Sequence, residues 1–234
     1  MFKKRNKGTK KLVHMRSLIS HQKPKSPITE QYRTIRTNIQ FSNVDSDIRS
    51  IMVTSSFPAE GKSTTTANLA VVFAQQGKKV LFVDADLRKP TVQYTFQLEN
   101  HVGLTNVLTR QTTLRSAVQT SHIELLSILT SGPIPPNPAE LLGSQTMEDL
   151  MNEMYEYYDI VIFDTPPVLP VADANILANL CHGIVLVVKS GGVDRDSALK
   201  ATEILKGAKG KLLGAVVNQK KQSEGNYYYY YGTK

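Results

Sequence analysis

The sequence has one cysteine and no apolar run long enough to span a membrane. No apolar segment follows the basic residues at its N-terminus. Because Cys181 has no second cysteine to pair with, an intramolecular disulfide is excluded, and this cysteine usage fits a reducing compartment. The longest apolar runs are the size of single strands, far below the roughly 20 residues of a transmembrane helix. The N-terminal pattern also argues against a secretory signal. We therefore expect a cytoplasmic protein.

Acidic residues are absent from the first 29 positions, where nine basic residues lie. These are Lys3, Lys4, Arg5, Lys7, Lys10, Lys11, Arg16, Lys23 and Lys25. Without them the formal net charge of +8 becomes −1, so the basic character belongs to an arm. Such an arm is either simply solvated or attracted to an anionic membrane, by roughly 1 kcal/mol per basic residue near the surface. Nucleic acid is the poorest candidate partner, because no Phe, Tyr or Trp interleaves these charges.

The rest of the chain divides into a body, residues 26–218, and a short tail, residues 219–234, after a basic arm of residues 1–25. Apolar strand-like segments alternate with helix-like segments through the body. The predicted strands are 50–54, 80–84, 125–129, 159–164, 184–188 and 212–217. The predicted helices begin at Ser26-Pro27 and span 62–76, 104–108, 139–142, 147–155, 172–180 and 194–205. This alternation predicts an α/β fold with a mostly parallel sheet and helices on both faces.

A phosphate-binding motif follows the first predicted strand. Segment 56–63 reads SFPAEGKS and opens a predicted helix, which is the context that a P-loop requires. Backbone N–H groups and the helix N-terminus form a cradle for phosphates. We expect Lys62 to reach the β- and γ-phosphates of ATP and Ser63 to bind Mg²⁺, while Gly61 allows close backbone approach. The residues expected to bind nucleotide here are Ser56, Phe57, Pro58, Ala59, Glu60, Gly61, Lys62, Ser63 and Thr64.

Carboxylates leave two further predicted strands. Asp84 ends the second strand, Asp86 follows two residues later, and Asp164 ends an apolar strand of the Walker B type. Because the carboxyl ends of parallel strands share one edge, we expect these acids beside the P-loop. With Ser63 they would hold Mg²⁺, or one would accept a proton from the attacking group. Ordinary loop acids are the alternative. The candidate catalytic residues are therefore Lys62, Asp84, Asp86 and Asp164.

The last predicted strand of the body ends in a residue that has two competing interpretations. Asn218 closes the last predicted strand, and its amide could recognise the adenine edge. An asparagine that merely ends a strand is an equally good explanation. Cys181 precedes a strand and is interpreted as a packing residue. The five histidines have no spacing that suggests a metal site.

The tail contains five consecutive tyrosines, Tyr227 to Tyr231, which are half of the ten tyrosines in the chain. Core packing does not explain them, because a polar stretch precedes them and only three residues follow. Beside a P-loop, we interpret this cluster as phosphate acceptors. The alternative is an adhesive tail that contacts a partner. The predicted phosphorylation sites are Tyr227, Tyr228, Tyr229, Tyr230 and Tyr231.

Together these motifs resemble the bacterial P-loop tyrosine kinases, known as BY-kinases. The resemblance covers nearly the whole chain after the basic arm. It rests on EQYRTIRTN at 30–38, the P-loop, DADLR at 84–88, SGPIPPNPAELL at 131–142, the strand ending in Asp164 and the tyrosine tail. It implies a P-loop NTPase fold of the MinD and ParA kind and an ATP-dependent protein-tyrosine kinase. Such a kinase would phosphorylate its own C-terminal tyrosines and regulate capsule or exopolysaccharide synthesis.

The resemblance also implies partners. Glu30, Arg33 and Arg36 resemble the motif through which family members assemble into rings, where one subunit's tail enters the next subunit's site. The length resembles the split, Gram-positive form, a cytoplasmic subunit recruited to the inner membrane face by a transmembrane activator. Protein tyrosine substrates and a cognate phosphotyrosine phosphatase are further expected partners. The family's loop usually carries a glycine where this chain has Ala59.

Two rival functions share the P-loop. A switch ATPase of the MinD or ParA type would carry a signature lysine five residues before Lys62, where this chain has Phe57. It would also have no use for a tyrosine cluster. A nucleotide-binding scaffold without phosphoryl transfer is the other rival. ATP turnover without phosphotyrosine would favour the switch ATPase, and binding without turnover would favour the scaffold.

Overall fold

The strands form because short runs of apolar residues are buried on both faces of one sheet. The structure, a computed structural model, describes residues 17–42 and 47–220. Its seven strands are β1 (Ser50–Ser55), β2 (Val80–Asp84), β3 (Gln119–Thr120), β4 (Leu126–Leu129), β5 (Ile160–Asp164), β6 (Gly183–Lys189) and β7 (Lys211–Asn218). They lie in the order β3-β4-β2-β5-β1-β6-β7. Every pairing is parallel except that of β3 with β4, which confirms the predicted sheet.

Ten helices lie before and between the strands within the described residues. They are α1 (Ile19–Gln22), α2 (Pro27–Phe41), α3 (Lys62–Ala74), α4 (Val92–Phe96), α5 (Leu104–Leu108), α6 (Leu114–Ala117), α7 (Pro138–Leu142), α8 (Gln145–Tyr157), α9 (Asp173–Ala178) and α10 (Arg195–Lys206). Side-chain caps begin several of them, because an oxygen at the N-cap accepts a hydrogen bond from a free backbone N–H group. Ser26 accepts from the N–H group of Thr29 at the predicted start of α2.

Helices cover both faces of the sheet, as predicted. Side chains alternate along β1, so Ile51 and Val53 belong to one hydrophobic cluster and Met52 to the other. Buried residues of α2 and α3 complete the first cluster. Buried residues of α8, α9 and α10 complete the second. The carboxyl ends of the parallel strands thus meet at one edge, between two helical layers.

Four short elements were not predicted: α1, α4, α6 and β3. Their signals are not local. The N–H groups of Thr91 and Val92, where α4 begins, donate to a carboxylate oxygen of Asp84, several residues upstream. Helix α1 lies within the segment assigned to the basic arm, but Leu18 is buried and the backbone of Ser20 bonds to Asn68 of α3. Residues 1–16 of that arm lie outside the described residues.

No helix in the described part of the chain is long and apolar enough to cross a membrane. This agrees with the absence of long apolar runs in the sequence.

The single cysteine lies just before β6, away from the strand ends that carry the P-loop. Cys181 is buried, and burial raises the pKa of its thiol to about 12, although a hydrogen bond with Ser50 opposes the shift. Ser50 also accepts hydrogen bonds from the hydroxyl of Tyr155, at 2.8 Å, and from the N–H group of His182, at 3.0 Å. This polar junction joins β1, α8 and the segment just before β6, in agreement with a packing role for the cysteine.

We therefore expect Cys181 to resist alkylation in the folded protein. A thiol reacts as its thiolate, so iodoacetamide at pH 8 should leave the native mass unchanged while modifying the urea-unfolded chain. Intact mass spectrometry measures both, and the lone cysteine makes the result unambiguous. Rapid single modification of the native protein would contradict this interpretation of the site.

Candidate active site

The parallel register of the central strands brings the predicted site residues together. β1 lies between β5 and β6, and the P-loop follows it directly into α3. On the other side of β5, β2 pairs so that Asp84 lies beside Asp164. The P-loop and both acid-bearing strand ends therefore share one edge, where open parallel sheets bind ligands.

The P-loop contains two residues in left-handed backbone conformation. Gly61 has φ of 90° and Ala59 has φ of 67°. Two observations exclude a side chain at position 61. The positive φ favours glycine, and a Cβ atom there would lie 2.0 Å from the amide nitrogen of Asn218. Such alternating turns direct successive N–H groups inward, which makes an anion-binding concavity. The backbone geometry therefore fits a phosphate ligand.

Glu60 holds the loop in this shape, a role that the sequence did not reveal. Its side chain is buried, with one oxygen accepting from the N–H group of Phe57 at 2.5 Å and the other from that of Lys189 at 3.0 Å. Its carbonyl oxygen accepts from the Asn218 amide at 2.9 Å. Loop acids give no sequence signal for such a role, because the partner at the end of β6 is distant along the chain.

Lys62 lies at the centre of the charged side chains and contacts two of the three acids. Its ammonium lies 3.0 Å from Asp86, 3.4 Å from Asp164 and 3.2 Å from the Ser63 hydroxyl. Burial by itself would lower the pKa of Lys62, but the carboxylates of Asp164, Asp86 and Asp84 outweigh burial and raise it. Lys62 is therefore charged at neutral pH, directly behind the phosphate cradle.

Asp84 is fully buried and serves the backbone as well as the site. One oxygen accepts from the N–H groups of Thr91 and Val92, each at 3.0 Å, and the other from that of Asp86 at 3.2 Å. Burial, and then the charge of Asp164, raise the pKa of Asp84 to about 7. A further cation nearby would favour its charged form.

The third acid has an unsatisfied oxygen that fits a magnesium ion. Asp164 is fully buried, and its Oδ2 has no hydrogen-bond partner within the described residues. Leaving such an oxygen unpaired is costly, and Mg²⁺ or its bound water would satisfy it. Among the described residues, no group of three or more His, Cys, Asp or Glu side chains has the arrangement of a metal site. Because Mg²⁺ usually takes one or two carboxylates plus substrate phosphates, these residues fit a nucleotide-bound ion.

A cleft of about 390 Å³ opens in front of these groups. Its walls include Ala59 and Lys62 of the P-loop, Asp86 and Arg88 after β2, and Pro166 after β5. Of the three acids, only Asp86 lines this cleft, since Asp84 and Asp164 lie deeper. The other predicted loop residue, Thr64, is half-buried at the start of α3.

The chain resembles known proteins over almost its full length. Residues 48–191 match the AAA domain family. The chain is 57% identical over 231 residues to tyrosine-protein kinase YwqD of Bacillus subtilis (strain 168), which covers 99% of this chain and 96% of that protein. It is 42% identical over 224 residues to the putative tyrosine-protein kinase CapB of Staphylococcus aureus, covering 95% and 98%.

Solved structures give a matching result. The crystal structure of the chimerical protein CapA2B2 superposes with a TM-score of 0.85 and 45% identity, covering 88% of this chain and 90% of that one. The chain belongs to the bacterial P-loop tyrosine kinases. It is of the split, Gram-positive type and is a protein-tyrosine kinase.

The rival switch ATPases share the fold of this kinase but are less similar to it. MinD of Pyrococcus horikoshii, solved with Mg-ADP, has a TM-score of 0.65 and 25% identity, covering 75% of this chain and 72% of that one. This likeness confirms the P-loop NTPase fold of the MinD kind and supports nucleotide binding. The identities above favour the kinase over the switch ATPase.

The predicted assembly residues of the kinase lie on α2, apart from the cleft. Arg33 donates to Glu30 within the helix, and Arg36 donates to the carbonyl oxygen of Val72 in α3 at 2.7 Å. In the single subunit Glu30 and Arg33 therefore pair with each other, while the buried Nε of Arg36 has no hydrogen-bond partner within the described residues. Their role in a ring stays a prediction.

The tyrosine tail of the kinase, from residue 221 onward, lies outside the described residues. Its attachment point is described, however. Asn218 lies over the P-loop, and Gln219, the next residue, lines the cleft. The chain therefore leaves the body beside its own nucleotide site.

Replacing Ala59 with glycine tests whether the P-loop of the kinase is strained. The left-handed conformation costs alanine roughly 1 kcal/mol more than glycine, so Ala59→Gly should raise the free energy of unfolding by up to about 1 kcal/mol. Nucleotide affinity should not fall. Urea denaturation and titration with a fluorescent ADP analogue measure the two quantities.

The matched control is Ala139→Gly in α7, where φ is not positive. Glycine in a helix should instead lower the free energy of unfolding by roughly 0.5–1 kcal/mol. If both variants were destabilised equally, the loop would not be strained at Ala59.

Proposed function

We propose that this kinase transfers the γ-phosphoryl group of ATP to its own C-terminal tyrosines, Tyr227 to Tyr231. The observation that carries the proposal is the placement of a charged, largely buried Lys62 in a phosphate cradle whose cleft is also lined by Gln219, at the start of the tyrosine tail. Adjacent tyrosines at the end of a chain leaving that cleft are natural acceptors. The names of the relatives support tyrosine as the acceptor.

The reaction is an in-line displacement in which the phenolic oxygen attacks the γ-phosphorus and ADP leaves. Backbone N–H groups of residues 56–63 orient the phosphates, and Lys62 neutralises the charge that develops on them. Bound Mg²⁺ would supply further neutralisation of the phosphate oxygens. Ser63 and Asp164 would hold that ion, since Ser63 opens α3 and Asp164 has the unsatisfied oxygen.

Asp86 is the carboxylate best placed to receive the phenolic proton. It lines the cleft, whereas Asp84 is fully buried and its two oxygens already accept hydrogen bonds from backbone N–H groups. A phenol has a pKa near 10, so a base positioned at the acceptor raises the rate at neutral pH. Asp84 then acts as a positioning residue that holds the Asp86 backbone and the start of α4. The Asn218 amide, at the rim of the loop, is our candidate for contact with adenine.

The assembly proposed for this function follows the family. Glu30, Arg33 and Arg36 would join subunits in a ring, which presents the tail of one subunit to the next. A transmembrane activator would recruit the kinase to the inner face of the membrane, and the likeness to the CapA2B2 chimera supports such a partner. Other protein tyrosines would be substrates, and a phosphotyrosine phosphatase would reverse the reaction. The process regulated would be capsule or exopolysaccharide synthesis.

The decisive substitution is Lys62→Met. Without the ammonium, charge on the transferring phosphoryl group is not neutralised, and removing such a group costs on the order of 10²–10³-fold in rate or more. We expect no detectable phosphotyrosine after incubation with Mg-ATP, with or without the activator's cytoplasmic segment. Anti-phosphotyrosine blotting measures this, and circular dichroism verifies folding.

The matched control replaces Tyr227–Tyr231 with Phe and leaves the described site untouched. This variant should lose self-phosphorylation but retain ATP binding. Phosphotyrosine on the Lys62→Met protein would refute the mechanism. ATP hydrolysis by the wild type without any phosphotyrosine would point to the switch ATPase.

A further inference from the structure

The cleft has a cationic wall to which the proposed reaction assigns no role. Arg88 and Lys89 line it, after the turn that carries Asp86. The Arg88 guanidinium binds Asp173 through two hydrogen bonds, Nε to Oδ2 and Nη2 to Oδ1, both of 2.8 Å. Asp173 is fully buried, whereas the Arg88 side chain is 41% exposed. The guanidinium is therefore held on one side and open to the cleft on the other.

Lys89 adds a second accessible charge beside it. Its backbone N–H group donates to Asp86 at 3.1 Å, which fixes the turn, while its side chain is exposed. No ion pair involves Lys89 among the residues that the structure describes. Lys62 also lines the cleft but pairs with Asp86 and Asp164, and Arg88 pairs with Asp173, so Lys89 is the cation of this wall that has no acidic partner among the described residues. An anion that entered here would meet the unpaired charge of Lys89 and the exposed part of the Arg88 guanidinium.

We propose that Arg88 and Lys89 form a binding subsite for a phosphotyrosine of this chain's own tail, residues 219–234. The subsite would retain the product of the reaction in the cleft, next to the phosphate cradle. This inference rests on the proposed function, because it takes the tail tyrosines to be the residues that become phosphorylated.

The tail can reach this wall from its own subunit. Gln219 lines the cleft, and eight residues later comes Tyr227, the first of the cluster. An extended chain spans up to roughly 3.3–3.6 Å per residue, or roughly 26–29 Å in total. The tail therefore has ample length to turn back into a cleft that begins at its own root.

Phosphorylation reverses the charge of the tail, which makes the subsite selective for the product. Before modification, Lys221, Glu224 and Lys234 give residues 221–234 a net charge of +1. A neutral phenol offers a cationic wall only a weak cation–π contact and no opposite charge. Each phosphate adds about −1.5 to −2 charges at neutral pH. A guanidinium held in a fixed orientation is suited to phosphate oxygens, which it can bind through two parallel hydrogen bonds.

The test uses a synthetic peptide, so it does not depend on kinase activity. The protein is the full chain with Tyr227–Tyr231→Phe, whose own tail accepts no phosphate. The probe is fluorescein-labelled peptide 221–234, either unmodified or phosphorylated at Tyr227, Tyr229 and Tyr231. Fluorescence anisotropy is measured with and without saturating Mg-ADP.

We expect the phosphorylated peptide to bind at least about tenfold more tightly than the unmodified one, since charge-assisted hydrogen bonds form only with phosphate. In the same background, Lys89→Gln and Arg88→Lys should each weaken binding by about fivefold or more. Lys78→Gln, an exposed lysine just before β2 and away from the cleft, should not change it. Arg88→Lys changes an ion pair with the buried Asp173, so thermal melting checks that this variant is folded. The result for the exposed Lys89→Gln therefore decides whether the subsite exists.

Three results would overturn the subsite. These are equal affinity for the two peptides, equal loss with Lys89→Gln and Lys78→Gln, and displacement of the phosphopeptide by Mg-ADP. The last would place the phosphate in the P-loop itself. Tight binding of the phosphopeptide by a protein whose wild type fails to phosphorylate its tail would support the subsite while refuting the proposed function.

Discussion

The rest of the site depends on the ion pairs that the largely buried ammonium of Lys62 makes with Asp86 and Asp164. This ammonium is held 3.0 Å from Asp86 and 3.4 Å from Asp164, so one cation serves carboxylates from two different strand ends. That arrangement exists because β2 and β5 are parallel neighbours in register, with Asp84 beside Asp164. Burial, and then the charge of Asp164, raise the pKa of Asp84. Three acids around one lysine leave negative charge in excess, which would favour a further cation.

The P-loop is held in shape by hydrogen bonds to the ends of two strands, β6 and β7. Glu60 ties the loop to the end of β6, and Asn218 closes over Gly61 from the end of β7. The conformation of the loop therefore depends on the assembled sheet. The same contacts place the start of the C-terminal tail at the nucleotide site, which links phosphoryl transfer to the tail by geometry as well as by family resemblance.

Much of the fold could be predicted because its signals are local. A buried parallel strand is a short apolar run, and the P-loop, the strand-end acids and the N-cap at Ser26 are each defined by a few adjacent residues. The missed elements lack such signals. The first backbone N–H groups of α4 donate to Asp84, several residues upstream, and α1 packs against the core although it lies within the predicted basic arm. The buried role of Glu60 and the pairing of Arg88 with Asp173 likewise depend on partners far along the chain.

The sequence by itself determined the α/β class, the identity of the phosphate-binding loop, the three candidate acids and the family. These follow from periodicity and motifs, which are properties of neighbouring residues. Only the tertiary structure decided which acid faces the cleft, which oxygen is left for a metal and which cations form the cleft wall. These depend on strand order and register, because residues separated by eighty or more positions become neighbours only when the sheet is assembled.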